Sequence, residues 1–192
     1  MRTPGSRQAW RPPIRWPGDR ADPRIGRERE VAVVVREEEL RHLRRCVELA
    51  AEALSVGDEP FGSVLVSGEG KVLAEDHNRV AGGDHTRHPE FELARWSAAH
   101  LTPGERAAAT VYTSGEHCPM CAAAHGWVGL GRIVYVASSA QLVSWLAELG
   151  VPEPPVRPLP VSEVAPRVVV EGPVPGLDEE VRELHRRFHR GA

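Results

Sequence analysis

The sequence predicts an α/β domain in which a mixed β-sheet carries helices on both faces. Three observations predict it. An apolar stripe at helical spacing opens the patterned region, two β-type runs joined by a short turn follow, and helices and strands then alternate toward the C-terminus.

Residues 1–30 precede that pattern. They are rich in Arg, Pro and Gly, show no apolar period and hold four prolines between positions 4 and 17. Such a composition predicts disorder. It also fits a non-native upstream extension, with Val31 or a neighbouring Val as the start. The prolines argue against a helical transit peptide. A basic arm for nucleic acid is the other reading.

From Glu37 the residues Leu40, Leu43, Val47, Ala50 and Leu54 recur at steps of three and four, which builds one face of a helix ending near Gly57. Cys46 borders that face and reads as a small buried hydrophobe. Phe61–Ser67 and Lys71–Glu75 are two strands joined by Ser67-Gly68-Glu69-Gly70, a hairpin signal, and Asn78 closes the second. A Gly82-Gly83-Asp84 loop leads to a helix over Pro89–His100. A strand over Thr110–Ser114, a helix over Pro119–Leu130, a strand over Ile133–Ala137 and a helix over Gln141–Leu149 complete a first unit, 31–150. The proline-rich stretch 152–160 is a surface linker. Val168–Val170 forms a short strand and Leu177–Phe188 a last helix, so 151–192 is a strap or lid on the same domain.

The chain has 192 residues and 41% hydrophobic content, enough for one well-filled core. No apolar run approaches the ~18 residues that span a bilayer. Three cysteines, Cys46, Cys118 and Cys121, make no disulfide framework, so a reducing cytoplasm is the expected location. The net charge of −3 divides unevenly. Residues 1–29 hold eight arginines and three acids, a net +5, and the rest holds sixteen basic and twenty-four acidic residues, a net −8. A body that acidic is a poor binder of phosphate backbones.

Two short runs carry the chemistry: His88-Pro89-Glu90 and Cys118-Pro119-Met120-Cys121. They offer one imidazole, two thiolates and one carboxylate. His88 and Cys118 each stand just before a helix whose first residue is proline, where the missing N–H costs nothing. Peptide N–H groups at such a helix start favour thiolate, and Cys121 lies one turn further on. Three protein ligands around Zn²⁺ leave a fourth position for water, as in catalytic sites. Glu90 then carries protons for that water. Taken singly the parts are weaker: a C-x-x-C can be a redox pair or half of a structural site, and a first-turn Glu can serve the helix dipole alone.

With these residues in view, the region from about Arg36 to Leu149 resembles the cytidine-deaminase-like superfamily, in its guanine-deaminase-like nucleobase and tRNA-adenosine branch. The resemblance rests on Pro60-Phe61-Gly62-Ser63-Val64-Leu65-Val66, His77-Asn78-Arg79, His88-Pro89-Glu90 and Thr113 through Cys121. It implies a three-layer α/β/α sandwich around a five-stranded mixed sheet. It assigns His88, Cys118 and Cys121 to zinc and Glu90 to proton transfer. It also gives Asn78 a hydrogen bond to the base, and Phe61 and Trp127 the pocket wall. A homodimer is implied as well. Three positions depart from the family pattern. Pro89 removes a backbone donor near the substrate, His117 replaces a usual proline and is either a cap or a substrate contact, and Glu92 replaces a frequent Asn. In guanine-deaminase-like relatives the tail covers the site, so Val161–Leu177 is expected to act as a lid with Glu171 or Glu163 as a second carboxylate.

The expected function is zinc-dependent hydrolytic deamination of a free nucleobase or nucleoside, either a guanine-like purine or a cytosine- or triazine-like ring. One alternative is tRNA-specific adenosine deamination, which asks for a basic surface. The other is a non-enzymatic zinc module, which asks for a fourth protein ligand, His117 or His125. The expected partners are a small nucleobase or nucleoside and a second copy of the chain, with no nucleic acid and no membrane.

Overall fold

The computed structural model describes residues 36–190, so the expected disordered or non-native extension at 1–30 lies outside the described residues. The first helix, α1, runs Glu37–Ser55 with three glutamates in its first turn, where they meet the positive end of the helix dipole. Its predicted stripe is the buried one: Leu43, Cys46 and Ala50 are fully enclosed. The strand β1, Gly62–Val66, lies directly beneath it. A Cβ at Gly62 would collide with Leu49 and with the Cys46 carbonyl, so glycine lets helix and strand close up.

A sharp turn leads from β1 into β2, Val72–His77, which is antiparallel to it and starts one residue later and ends two residues later than the sequence predicts. After a short 3₁₀ turn at Val80–Gly82 comes α2, Pro89–His100. The strand β3, Thr110–Gly115, pairs antiparallel with β1. The helix α4, Pro119–Val128, stops at Gly129, whose φ of +72° is the left-handed conformation of a helix end. The strand β4, Arg132–Ala137, runs parallel to β3 and leads to α5, Ser139–Glu148.

Between α2 and β3 lies a helix absent from the expectation, α3, Pro103–Ala108. Its signal was present: Thr102 and Glu105 form a capping box and Pro103 takes the first helical position. The tail holds another, α6, Val161–Val164, then β5, Val170–Glu171, and α7, Leu177–Arg190.

The sheet order is β2-β1-β3-β4-β5, with β5 parallel to β4. This is the five-stranded mixed sheet with helices on both faces. On one face, α1, α5 and α7 pack over Val64, Val66, Tyr112, Val134 and Val136. On the other, α2 and α4 cover Leu65 and Val111, and α4 and α6 cover Ile133. The tail is built into this plan. Val161 is fully buried beside Ala122 and Ile133, β5 extends the sheet, and α7 rests on α1. Among the described residues no helix is long and apolar enough to cross a membrane.

Candidate metal centre

Two helix starts face each other at the end of the sheet where β3 finishes. His88 is the N-cap of α2 and Cys118 the N-cap of α4, each followed by proline at the first helical position. Both caps are extended, and neither side chain caps a backbone N–H of its own helix, so both are free to meet the other ligands. The Cys118 Sγ lies 3.5 Å from His88 Nδ1 and 3.5 Å from Cys121 Sγ, and Cys121 Sγ lies 3.7 Å from His88 Nδ1. A tetrahedral zinc site has edges of about 3.5–3.8 Å, from zinc–sulfur bonds near 2.3 Å and zinc–nitrogen bonds near 2.0–2.1 Å. The three donors therefore fit zinc by type and by spacing.

The charges of the group suit a cation. A hydrogen bond from Cys121, helped by one from His88, pulls the Cys118 thiol down to about 4. The contact with Cys118 lifts His88 to about 8 against its burial. Cys121 is pushed up by its hydrogen bond with Cys118 and by burial. The protons held on the group are those that a metal displaces on binding.

Glu90 stands one residue beyond Pro89 in the first turn of α2 and is 5% exposed. Burial raises its carboxyl above the usual range. It is not one of the three clustered donors. Two hydroxyls meet its Oε1. Thr113 Oγ1 donates at 2.8 Å and Ser63 Oγ at 3.1 Å. Both lie in motifs that carry the resemblance, but neither was given a role, because Thr in a strand and Ser beside Gly are ordinary. Only the pairing of β1 with β3, which sets Ser63 opposite Thr113, brings them together.

Asn78 is fully buried. Its Oδ1 accepts from Val80 N at 3.0 Å, and its own N–H donates to the Phe61 carbonyl at 3.0 Å, while Nδ2 has no partner. A buried amide left with two free donors is a place for a water or a ligand. Phe61 is half-buried against Gly115 and meets the His185 ring edge-on at 5.0 Å.

Other expected contacts lie elsewhere. Trp127 is 76% exposed on α4. Glu171 pairs with Arg132 at 2.9 Å, at the end of the sheet where β3 and β4 begin and not where the metal ligands sit. Arg132 also holds the buried Glu39, so the strand charge is a structural one. Glu163 is exposed on α6. His117 is enclosed against the His125 ring at 5.3 Å, and His125 Nε2 bonds the Gly131 carbonyl at 2.9 Å. Among the described residues the metal-binding group therefore comprises His88, Cys118 and Cys121, without the fourth ligand that a closed structural site requires.

Glu116, within the motif from Thr113 to Cys121, has a role that the sequence did not assign. Its carboxylate accepts from Ser139 N and from Val161 N, both at 2.9 Å. One acid thus ties the loop of the metal ligands to the start of α5 and to the tail.

Comparison with known proteins agrees with this geometry. The family described as "Cytidine and deoxycytidylate deaminase zinc-binding region" matches residues 36–137, which include all three donors and Glu90. A Schizosaccharomyces pombe protein named "Probable cytosine deaminase" is 31% identical over 114 residues, 59% of this chain and 69% of that one. The guanine deaminase of Bacillus subtilis is 36% identical over 97 residues, 50% of this chain and 62% of its own. A solved structure from work on A-to-I editing by tRNA:A34 deaminases superposes with a TM-score of 0.53 at 24% identity, covering 76% of this chain and 99% of that one, and so shares the fold. The chain belongs to the cytidine and deoxycytidylate deaminase zinc-binding family.

Proposed function

We propose that the protein catalyses zinc-dependent hydrolytic deamination of a free nucleobase or nucleoside and releases ammonia. The observation that carries this reading is a three-donor group beside a buried carboxylate that is not a donor. Held by His88, Cys118 and Cys121, zinc supplies a Lewis acid that lets water ionise near neutral pH.

The chain's own residues do the rest. Glu90 takes a proton from water and passes it to the ring nitrogen beside the amino-bearing carbon. A second transfer sends a proton to the departing amine, so a C–NH₂ group and water become C=O and NH₃. Asn78 Nδ2 offers its two hydrogens to acceptors on the ring. Pro89 has no N–H to give, which leaves more of the recognition to Asn78. Phe61 supplies an apolar wall.

The ring is guanine-like, cytosine-like or triazine-like, and the net −8 of the chain beyond residue 29 favours a free ring over tRNA. The same reading takes the protein as a homodimer, supported by the exposure of Trp127 on the helix that holds both cysteines.

The test is ammonia release from the zinc-loaded protein across purines, pyrimidines, their nucleosides and triazines, with inosine formation in tRNA as a parallel arm. Turnover of one ring class supports the proposal. Inosine in tRNA with no free-ring turnover would replace the substrate, and no release in any arm would sink the activity.

A further inference from the structure

The polar residues beneath Glu90 are in the wrong place for a sheet that only has to pack. Ser63 and Thr113 are both fully buried, the second residue of β1 and the fourth of β3. Register sets them directly opposite each other, two pairs along from Leu65 and Val111, which fill the same face with apolar bulk. A buried hydroxyl without a purpose costs stability, so each needs a partner. Both find the same one. Thr113 Oγ1 and Ser63 Oγ converge on Glu90 Oε1 at 2.8 and 3.1 Å, and they lie 2.9 Å from each other. Thr113 also reaches the Gly115 carbonyl at 3.0 Å. A hydroxyl has one proton to give; when Ser63 and Thr113 both donate to Glu90, the Ser63–Thr113 and Thr113–Gly115 approaches are contacts without a proton of their own.

We infer that Ser63 and Thr113 are positioning residues that clamp one oxygen of Glu90 and so aim the other at the reacting atoms; this rests on the proposed deaminase chemistry. The terminal torsion of a glutamate is broad and roughly two-fold, so an unclamped carboxylate samples many planes. Two donors arriving from two hydrogen-bonded strands stop that rotation. The sheet holds them in place before substrate arrives, so no reorganisation is needed during the reaction. With Oε1 occupied from below, Oε2 is the oxygen left to exchange protons.

The test compares Thr113→Val, Thr113→Ser and Ser63→Ala with the wild type, all as zinc-loaded full chains. Thr113→Val keeps the shape and deletes the donor. Its kcat is expected to fall roughly ten- to a hundredfold, the size of one hydrogen bond to a charged group, with KM and zinc content within about twofold. Thr113→Ser restores the donor and should recover to within about threefold. Ser63→Ala should cost less, and the double variant less than the product of the two, because both bonds end on one oxygen. Crystal structures supply a readout that needs no turnover. Glu90 should keep one conformer in the wild type and rotate or split in Thr113→Val. A wild-type kcat in zinc-bound Thr113→Val, an equal loss in Thr113→Ser, or an unmoved Glu90 in the Thr113→Val crystal would overturn the inference. A wild type that deaminates no ring, together with the expected Glu90 shift in the Thr113→Val crystal, sinks the functional proposal and leaves the clamp standing.

Discussion

Replacing Glu90 with Gln changes one oxygen to an amide and little else. The Gln Oε1 can still accept from Thr113 and Ser63. The zinc donors are His88, Cys118 and Cys121, so metal content should stay at one per chain. Folding should not suffer either, because the side chain is 5% exposed and a neutral amide is cheaper to bury than a carboxylate. What disappears is the ability to take and give a proton. General acid–base groups contribute about 10²- to 10⁴-fold, or roughly 3–5 kcal/mol of barrier. The assay is steady-state ammonia release alongside zinc analysis and thermal unfolding on one preparation. A variant that keeps zinc, unfolds no earlier and still works within about tenfold of wild type would show that Glu90 is not the proton carrier. Loss of zinc would show instead that the carboxylate is a fourth ligand, and the site would then be a closed structural one.

Two further outcomes follow from the structure. Hydrogen bonds from Arg36 and Arg132 outweigh the burial of Glu39 and hold its carboxyl at about 2, below the ordinary 4.5. The folded value is the lower one, so this pairing stabilises the protein above pH 4.5 and is lost as pH falls from 4.5 toward 2. Glu39→Gln should therefore cost about 2 kcal/mol near pH 7 and flatten the stability change across that window, read from urea unfolding at a series of pH values; an unchanged profile would refute the pairing. Glu116→Ala removes the acceptor for Ser139 N and Val161 N, two charge-assisted bonds of about 1.5–3 kcal/mol each before relaxation. Limited proteolysis in the 152–160 linker should speed up severalfold, and equal cleavage rates would show that the tail is held by Val161 alone.

The parts of the molecule legible in the sequence are those fixed by local chemistry. The stripe Leu43–Val47–Ala50 told its own face, since helix periodicity is a property of neighbours three and four apart. His88-Pro89 and Cys118-Pro119 announced two helix starts, because a proline at the first helical position follows from its missing N–H. Ser63 and Thr113 were invisible for the opposite reason. They are fifty positions apart, and each is unremarkable until strand register sets it beside the other. Glu116 was hidden in the same way, since its partners lie 23 and 45 residues away. Glu171 shows the reverse error. A carboxylate in the tail looks free in a sequence, but Arg132 on the neighbouring strand holds it at the far end of the sheet.

The two faces of the sheet carry unequal loads. Over α1, α5 and α7 the core is one continuous cluster of sixteen buried residues. Over α2, α4 and α6 it breaks into separate clusters of six and three. Between α2, α4 and the sheet lie Ser63, Thr113, Glu90 and the His117–His125 pair, all buried and all polar. Each replaces apolar contact with a group that must be hydrogen-bonded or left at a cost of about 1–3 kcal/mol. Asn78 Nδ2 and both nitrogens of His117 are such groups. A space that had only to be packed would be filled with apolar side chains, as most of the opposite face is, where Glu39, His42 and His185 are buried polar exceptions. The apolar face supplies the stability that lets the other one hold a buried carboxylate, an unpaired amide and two thiols close together. The reactive groups gather on the α2–α4 side, while α1 on the other side encloses Leu43, Cys46, Ala50 and Ala53 completely.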